Sequence, residues 1–359
     1  MKKIIGILLL MVLFLPLIGC NNNIYNDLMF EVVDGNVTII GYIGSETDVV
    51  IPETINGRNV TKIGDYAFQF FPPDVTFSRP NPNTVQITSI ILNEGLVYIG
   101  SFAFGFTAIQ EVIFPSTLRE IGVRAFTRSR HLSNIILNEG LETIGSSAFS
   151  GTSITSIVIP SSVTSIETSA FQSITTLTSV TLNEGLQTIC TSAFEGTSIT
   201  EITIPSTVTS IGTHAFGRIE TLTSVTLNEG LQEIGSMAFW QTSLTEINIP
   251  SSVVIIWGDA FQGITTLTSV TLNEGLQEIH WHAFSGTSIT EIIIPSTVTN
   301  IGWGVFRDII TLTNVTLNEG LQTIGQRAFA GTSITEIVIP STVTSIGENA
   351  FPENTKLIY

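Results

Sequence analysis

All four tryptophans of this 359-residue chain, Trp240, Trp257, Trp281 and Trp303, and three of its four histidines fall between positions 214 and 303. Tryptophan rings are large and amphipathic; where exposed they stack on sugars or seat in a protein partner. His280 and His282 stand two residues apart, a spacing that offers two imidazoles to a metal ion. Two ligands are too few for a zinc site, and no cysteine or carboxylate clearly completes the set, so no metal is expected. Arg119, Arg124, Arg128 and Arg130 lie within twelve residues, beside His131, in a chain with 13 basic and 30 acidic residues and a net charge of −17. They form a candidate basic patch. The overall charge excludes a phosphate-tracking nucleic-acid binder, which needs clustered Lys and Arg over a whole face. Cys20 and Cys190 are too few for a disulfide framework. No P-loop, no G-x-G-x-x-G and no spacing of nucleophile and base is present, so neither catalysis nor a cofactor is expected.

Cys20 has a separate context. Lys2 and Lys3 precede an apolar run from Ile4 to Leu15, then Leu17-Ile18-Gly19-Cys20. The run is too short for a permanent span, which needs about 20 residues, and suits the apolar region of a secretory signal. Residues 1–19 read as a signal peptide with a lipobox, and Cys20 as the acylated new N-terminus, followed by a tether over residues 20–33. Removing Lys2 and Lys3 leaves 11 basic and 30 acidic residues, a net of −19. Several acyl chains hold a protein at a membrane surface, since each buried CH₂ contributes about 0.8 kcal/mol. The expected location is outside the cytoplasm, anchored by lipid to a bacterial membrane and exposed at the surface.

The elements that must position these residues are set by repetition. Asn-Glu-Gly begins at Asn93, Asn138, Asn183, Asn228, Asn273 and Asn318, every 45 residues, and proline recurs at the same interval from Pro115 to Pro340. A phenylalanine, usually after alanine, closes each of thirteen units from Phe68 to Phe351; from Phe104 onward the gaps alternate 22 and 23. Such a unit cannot bury its apolar edge alone and must stack on its copies. Leu177, Val180 and Leu182 follow L-x-x-L-x-L, with Ser179 and Thr181 facing out, which predicts a short strand ended by Asn183-Glu184-Gly185. The fold class expected is therefore a leucine-rich-repeat solenoid of about thirteen coils, a parallel β ladder with short helical turns at each Ala-Phe. At about 4.8 Å per coil it is roughly 60 Å long.

The I-x-I-P-S-x-V-x-x-I-G-x-x-A-F unit, as at Ile202 to Phe216, and its N-E-G counterpart resemble the BspA-like leucine-rich repeat family from about Ile39 to Phe351. The resemblance implies an N-terminal cap with the first coil over residues 34–68 and a solenoid over residues 69–359. It also implies a secreted or surface-displayed bacterial protein acting in adhesion and protein binding, with no catalytic residues. Departures from the repeat are the places to look for a ligand. The gap from Phe68 to Phe104 is 36, which leaves an insertion over residues 70–85 with four of the 13 prolines. Stacking also gathers Trp240, Trp257, His280, Trp281, His282 and Trp303 into one candidate binding patch. Trp281 and Trp303 share a slot in consecutive coils and are expected about 5 Å apart. Cys190 occupies a glycine slot and reads as a buried free thiol. Glu201, Glu246, Glu291 and Glu336 recur at one outward strand position. Alternatives to protein binding are a glycan-binding surface and a structural envelope component without a discrete ligand.

Overall fold

The computed structural model describes residues 23–70 and 85–359. Residues 1–19, read as a signal peptide, Cys20, read as the lipidated residue, and nearly all of the 70–85 insertion lie outside the described residues. Each coil contributes two short strands. The first, as in Glu201–Ile204, alternates exposed Glu201 and Thr203 with buried Ile202 and Ile204, the period of two of a half-covered strand. It pairs in parallel with Ser224–Leu227 of the next coil, Glu201 opposite Ser224 and Ile204 opposite Leu227. These first strands pair two by two, each I-x-I-P coil with the N-E-G coil that follows it, as Glu246–Ile249 with Ser269–Leu272 and Glu291–Ile294 with Asn314–Leu317. The second strand has only two residues but is the continuous one. From Tyr98–Ile99 through Ser210–Ile211 to Ser345–Ile346 it forms an unbroken parallel ladder.

The interior is a stack of rings. The thirteen phenylalanines from Phe68 to Phe351 form consecutive stacked pairs, with centroids 5.0–5.7 Å apart and ring planes within 15°. Isoleucine, leucine and valine from both strands fill the space beside them.

The Ala-Phe segment differs from the helical turn expected of it, and the described residues form strands and turns without a helix. The residue two before each spine phenylalanine is left-handed, and from Phe104 to Phe329 so is the residue two after it: around Phe194, Ser192 has φ 55° and Gly196 φ 67°. Isolated left-handed residues stop a right-handed helix before it completes a turn. The backbone is satisfied another way. Ser192, Phe194 and Gly196 donate their N–H groups to Thr213, Ala215 and Gly217 of the next coil, while Ala193, Glu195 and Thr197 close three-residue turns onto Cys190, Ser192 and Phe194. Alternate amides thus join neighbouring coils and none is left buried without a partner in this stretch.

The Asn-Glu-Gly corner interlocks three coils. Asn183 donates back to the Ile159 carbonyl, just before Pro160 (3.0 Å). Glu184 reaches forward and accepts from the Ser206 amide and hydroxyl (both 3.1 Å) and from the Thr207 amide (3.2 Å). The Thr207 hydroxyl accepts from Gly185 N–H (3.0 Å) and donates to the Leu186 carbonyl (2.7 Å). Gly185 sits at φ 113°, and a side chain there would collide with the Ser161 carbonyl, so both conformation and space demand glycine. The same contacts recur at Glu229, Glu274 and Glu319.

At the N-terminal end, β1 (Asn23–Tyr25), β2 (Leu28–Val33) and β3 (Asn36–Tyr42) run antiparallel. Leu28 and Phe30 are buried, and β3 pairs in parallel with Arg58–Ile63 at the head of the ladder. The strands β1 and β2 therefore lie inside the segment read as a tether over residues 20–33. At the other end Lys356–Ile358 pairs with Glu336–Val338, and the Lys356 ammonium lies 3.5 Å from Glu336.

Candidate functional site

Three consecutive coils place the aromatic patch on the short run between the second strand and the spine phenylalanine. The Trp257 ring lies against His280 (centroids 4.5 Å, planes 34° apart), whose Nε2 is 3.1 Å from Glu278. His282 packs against Trp303 (4.3 Å, 42°) and its Nδ1 is 3.5 Å from Asp259. Its other ring nitrogen, Nε2, is enclosed without a hydrogen-bond partner. The two imidazoles thus turn to different carboxylates, and among the described residues no three His, Cys, Asp or Glu side chains converge on a metal position.

The structure brings Trp257, His280, Trp281, His282 and Trp303 together. Trp281 and Trp303 share a slot in consecutive coils. Each leans back over the preceding coil, Trp281 across Gly258, where any Cβ would collide with its indole, and Trp303 onto His282. The absence of a side chain at Gly258 makes the room. These two rings are 43% and 42% exposed, whereas Trp257 is half-buried. Trp240 stands beyond the spine phenylalanine, edge-on to His214 (6.0 Å) and beneath the Arg218 guanidinium (5.8 Å).

The arginine cluster divides by role. Arg119 donates to the carbonyls of Ser116, Leu118 and Gly140 at 3.2–3.3 Å and clamps an Asn-Glu-Gly corner. Arg124 lies over the Phe102 ring (5.4 Å) and Arg128 over Phe106 (5.9 Å), while Arg130 is exposed. Cys190 is a half-buried free thiol 3.6 Å from the Ser165 hydroxyl, and burial pushes its pKa up, away from the reactive thiolate.

One feature was not anticipated from the sequence. On the face of the first strands, Val50, Ile91, Ile113, Ile136 and Val158 occupy the same outward position in five successive coils and are 50–65% exposed. The following coils carry Thr181, Thr203 and Thr226 there. Beside the row is a pocket of about 430 Å³ lined by Asp48, Thr88, Gln110, Glu111, Ser133 and Asn134, among others. The signal was available as a lateral reading, V-I-I-I-V and then T-T-T. It is masked along the chain because every strand of an exposed sheet alternates in the same way.

Similarity to known proteins follows this geometry. A leucine-rich repeat protein from Bacteroides ovatus superposes with a TM-score of 0.59 at 22% identity, covering 94% of this chain and 99% of that one. A leucine rich cell surface protein from Faecalibacterium prausnitzii gives 0.57 at 25% identity, covering 92% and 86%. The pneumococcal vaccine antigen PcpA gives 0.51 at 20%, covering 91% and 78%. No functionally curated protein matches the chain. The model of the BspA type leucine rich repeat region matches six copies, over residues 82–174, 142–262 and 232–358. With the stacked coils and spine phenylalanines from Phe104 to Phe351 and the interlocked Asn-Glu-Gly corners all falling within those spans, the chain belongs to the BspA-type leucine-rich repeat family.

Proposed function

We propose that the protein is a non-catalytic, surface-displayed lipoprotein whose solenoid binds other proteins, in adhesion, through the face of its first strands. The observation that carries this reading is the exposed aliphatic row from Val50 to Val158. Five β-branched side chains in one line, about 20 Å long at strand spacing, form a contiguous apolar strip of the kind that marks a partner site. The fold does not require them, since threonine fills the same position in the coils that follow. The exposed Trp281 and Trp303 supply a second anchoring area farther along the rod. Display outside the cytoplasm is supported by the order Lys2-Lys3, apolar run, Gly19-Cys20, and by the likeness to a cell surface protein.

The test compares partner capture from the native surroundings by the wild-type protein, by I113K/I136K and by W281A/W303A, with circular dichroism to verify the fold. A protein species held by the wild type and lost with I113K/I136K is the expected result. Equal capture by the wild type and I113K/I136K contradicts the assignment of the strand face. Loss only with W281A/W303A moves the site to the tryptophans.

A further inference from the structure

We infer that the turn face of the first three coils is a second docking site, built from stacked aromatics and two uncompensated guanidiniums, for a carboxylate-rich segment of a protein partner. Its position on the solenoid is distinct from both the aliphatic row and the tryptophans, so it stands or falls separately from them.

Two lateral columns form it. Two residues before the spine, Tyr66 stacks on Phe102 (5.3 Å, 9°), and the Arg124 guanidinium lies over the Phe102 ring. Two residues after the spine, Arg128 lies over Phe106. The first position is left-handed in every coil from Tyr66 to Asn349, and the second in every coil from Phe106 to Gly331. Tyr66 has φ 63°, Phe102 55°, Arg124 56°, Phe106 62° and Arg128 54°. The next three coils fill the same positions with Ser147, Ser169 and Ser192, and with Gly151, Ser173 and Gly196. Bulky residues are disfavoured in this conformation, and such strain collects where it serves a purpose. Folding alone is met by serine or glycine, so the aromatic and arginine side chains have a use outside the fold.

Charge states what that use is. In a molecule of net charge −17, the arginine ion pairs among the described residues are those of Arg119, Arg218 and Arg307. Arg124, Arg128 and the neighbouring Arg130 have no carboxylate within 4.0 Å among the described residues. An aromatic ring beneath a guanidinium covers one face, fixes its plane and leaves the N–H edges pointing outward. That arrangement suits the bidentate capture of a planar carboxylate, which lysine cannot reproduce. Arginine and aromatic residues without lysine is also the composition of protein-interface cores. A long sulphated polymer or an anionic membrane has to lie along many coils, and 30 acidic residues repel it; a short acidic segment meets only the patch.

The probe is a fluorescein-labelled decapeptide of alternating Glu and Ala, followed by anisotropy at 20 and 150 mM salt. Heparin and phosphatidylglycerol vesicles are tested in parallel. The wild type binds the peptide, more weakly at the higher salt. R124Q/R128Q lowers the affinity by about tenfold or more, and R124K/R128K lowers it several-fold although charge is retained, because the fork and its stacking are lost. Arg327 occupies the same left-handed position in a later coil, next to Gly304 rather than a ring; R327Q leaves binding unchanged. Thermal melting verifies that each variant is folded. Peptide binding that is absent in the wild type, or unchanged in R124Q/R128Q, overturns the proposal. Tighter binding of heparin or vesicles than of peptide, lost in the same variant, overturns the protein partner and assigns the patch to a polyanion or a membrane.

Discussion

A single glutamate in each Asn-Glu-Gly corner shows how much one residue can do. Hydrogen bonds from the backbone amides of Ser206, Ser251, Ser296 and Ser341 hold the carboxyls of Glu184, Glu229, Glu274 and Glu319 below the usual carboxylate range. A group whose pKa is lowered by folding contributes its full stability above its unfolded value, about 4.3, and loses it as the pH falls through the folded value. Acidification also relieves the repulsion of a −17 chain, which acts in the opposite direction. The two effects separate in a comparison. The difference in melting temperature between the wild type and E184Q/E229Q/E274Q/E319Q is largest near pH 6 and shrinks towards pH 3; a difference independent of pH contradicts the corner's role. The corner's residue types were legible in the sequence, as turn formers. Its reach was not, because the partners of Glu184 are 22 and 23 residues away and come into range only once coils stack. The tryptophans tell the same story: spacing brought Trp257, Trp281 and Trp303 to one area, but the direction of each ring was decided by what the preceding coil left open, as at Gly258.

At the scale of one coil, the element is held by its neighbours rather than by itself. Phe194 is fully buried between Phe171 and Phe216, with centroids 5.3 and 5.5 Å away. Phe194→Ala is expected to cost about 3–5 kcal/mol, as the lost ring leaves a cavity between rigid layers. Since each coil contacts only adjacent coils, the loss also weakens the coupling of the two halves of the stack. Urea unfolding followed by tryptophan fluorescence measures both, because all four tryptophans lie on the C-terminal side of Phe194. A loss below about 1 kcal/mol contradicts the spine as the main source of cohesion. The coil period, its two flavours and the inward residues were readable from the 22- and 23-residue spacing. The Ala-Phe turn was not, since serine, histidine, methionine and arginine all occupy its left-handed position, and none of these residue types signals that conformation as glycine does.

For the whole molecule, stacking converts a one-dimensional repeat into long lateral columns, and function is read across the coils rather than along the chain. An exposed aliphatic row, an arginine-aromatic column and an outward glutamate series all follow this rule. The fold was legible because the repeat is nearly perfect. The surfaces were only partly so, since an outward isoleucine looks like any other strand residue until its lateral neighbours are known. The central claim is that the strand face of the first five coils holds a protein partner. Its most direct test is a photo-crosslinking amino acid placed at Ile113 and, in a separate protein, at Thr226, which occupies the same outward position several coils away. Irradiation in the native setting is expected to give a discrete covalent adduct from position 113 and none from position 226. Equal labelling at both positions, or labelling from 226 alone, contradicts it.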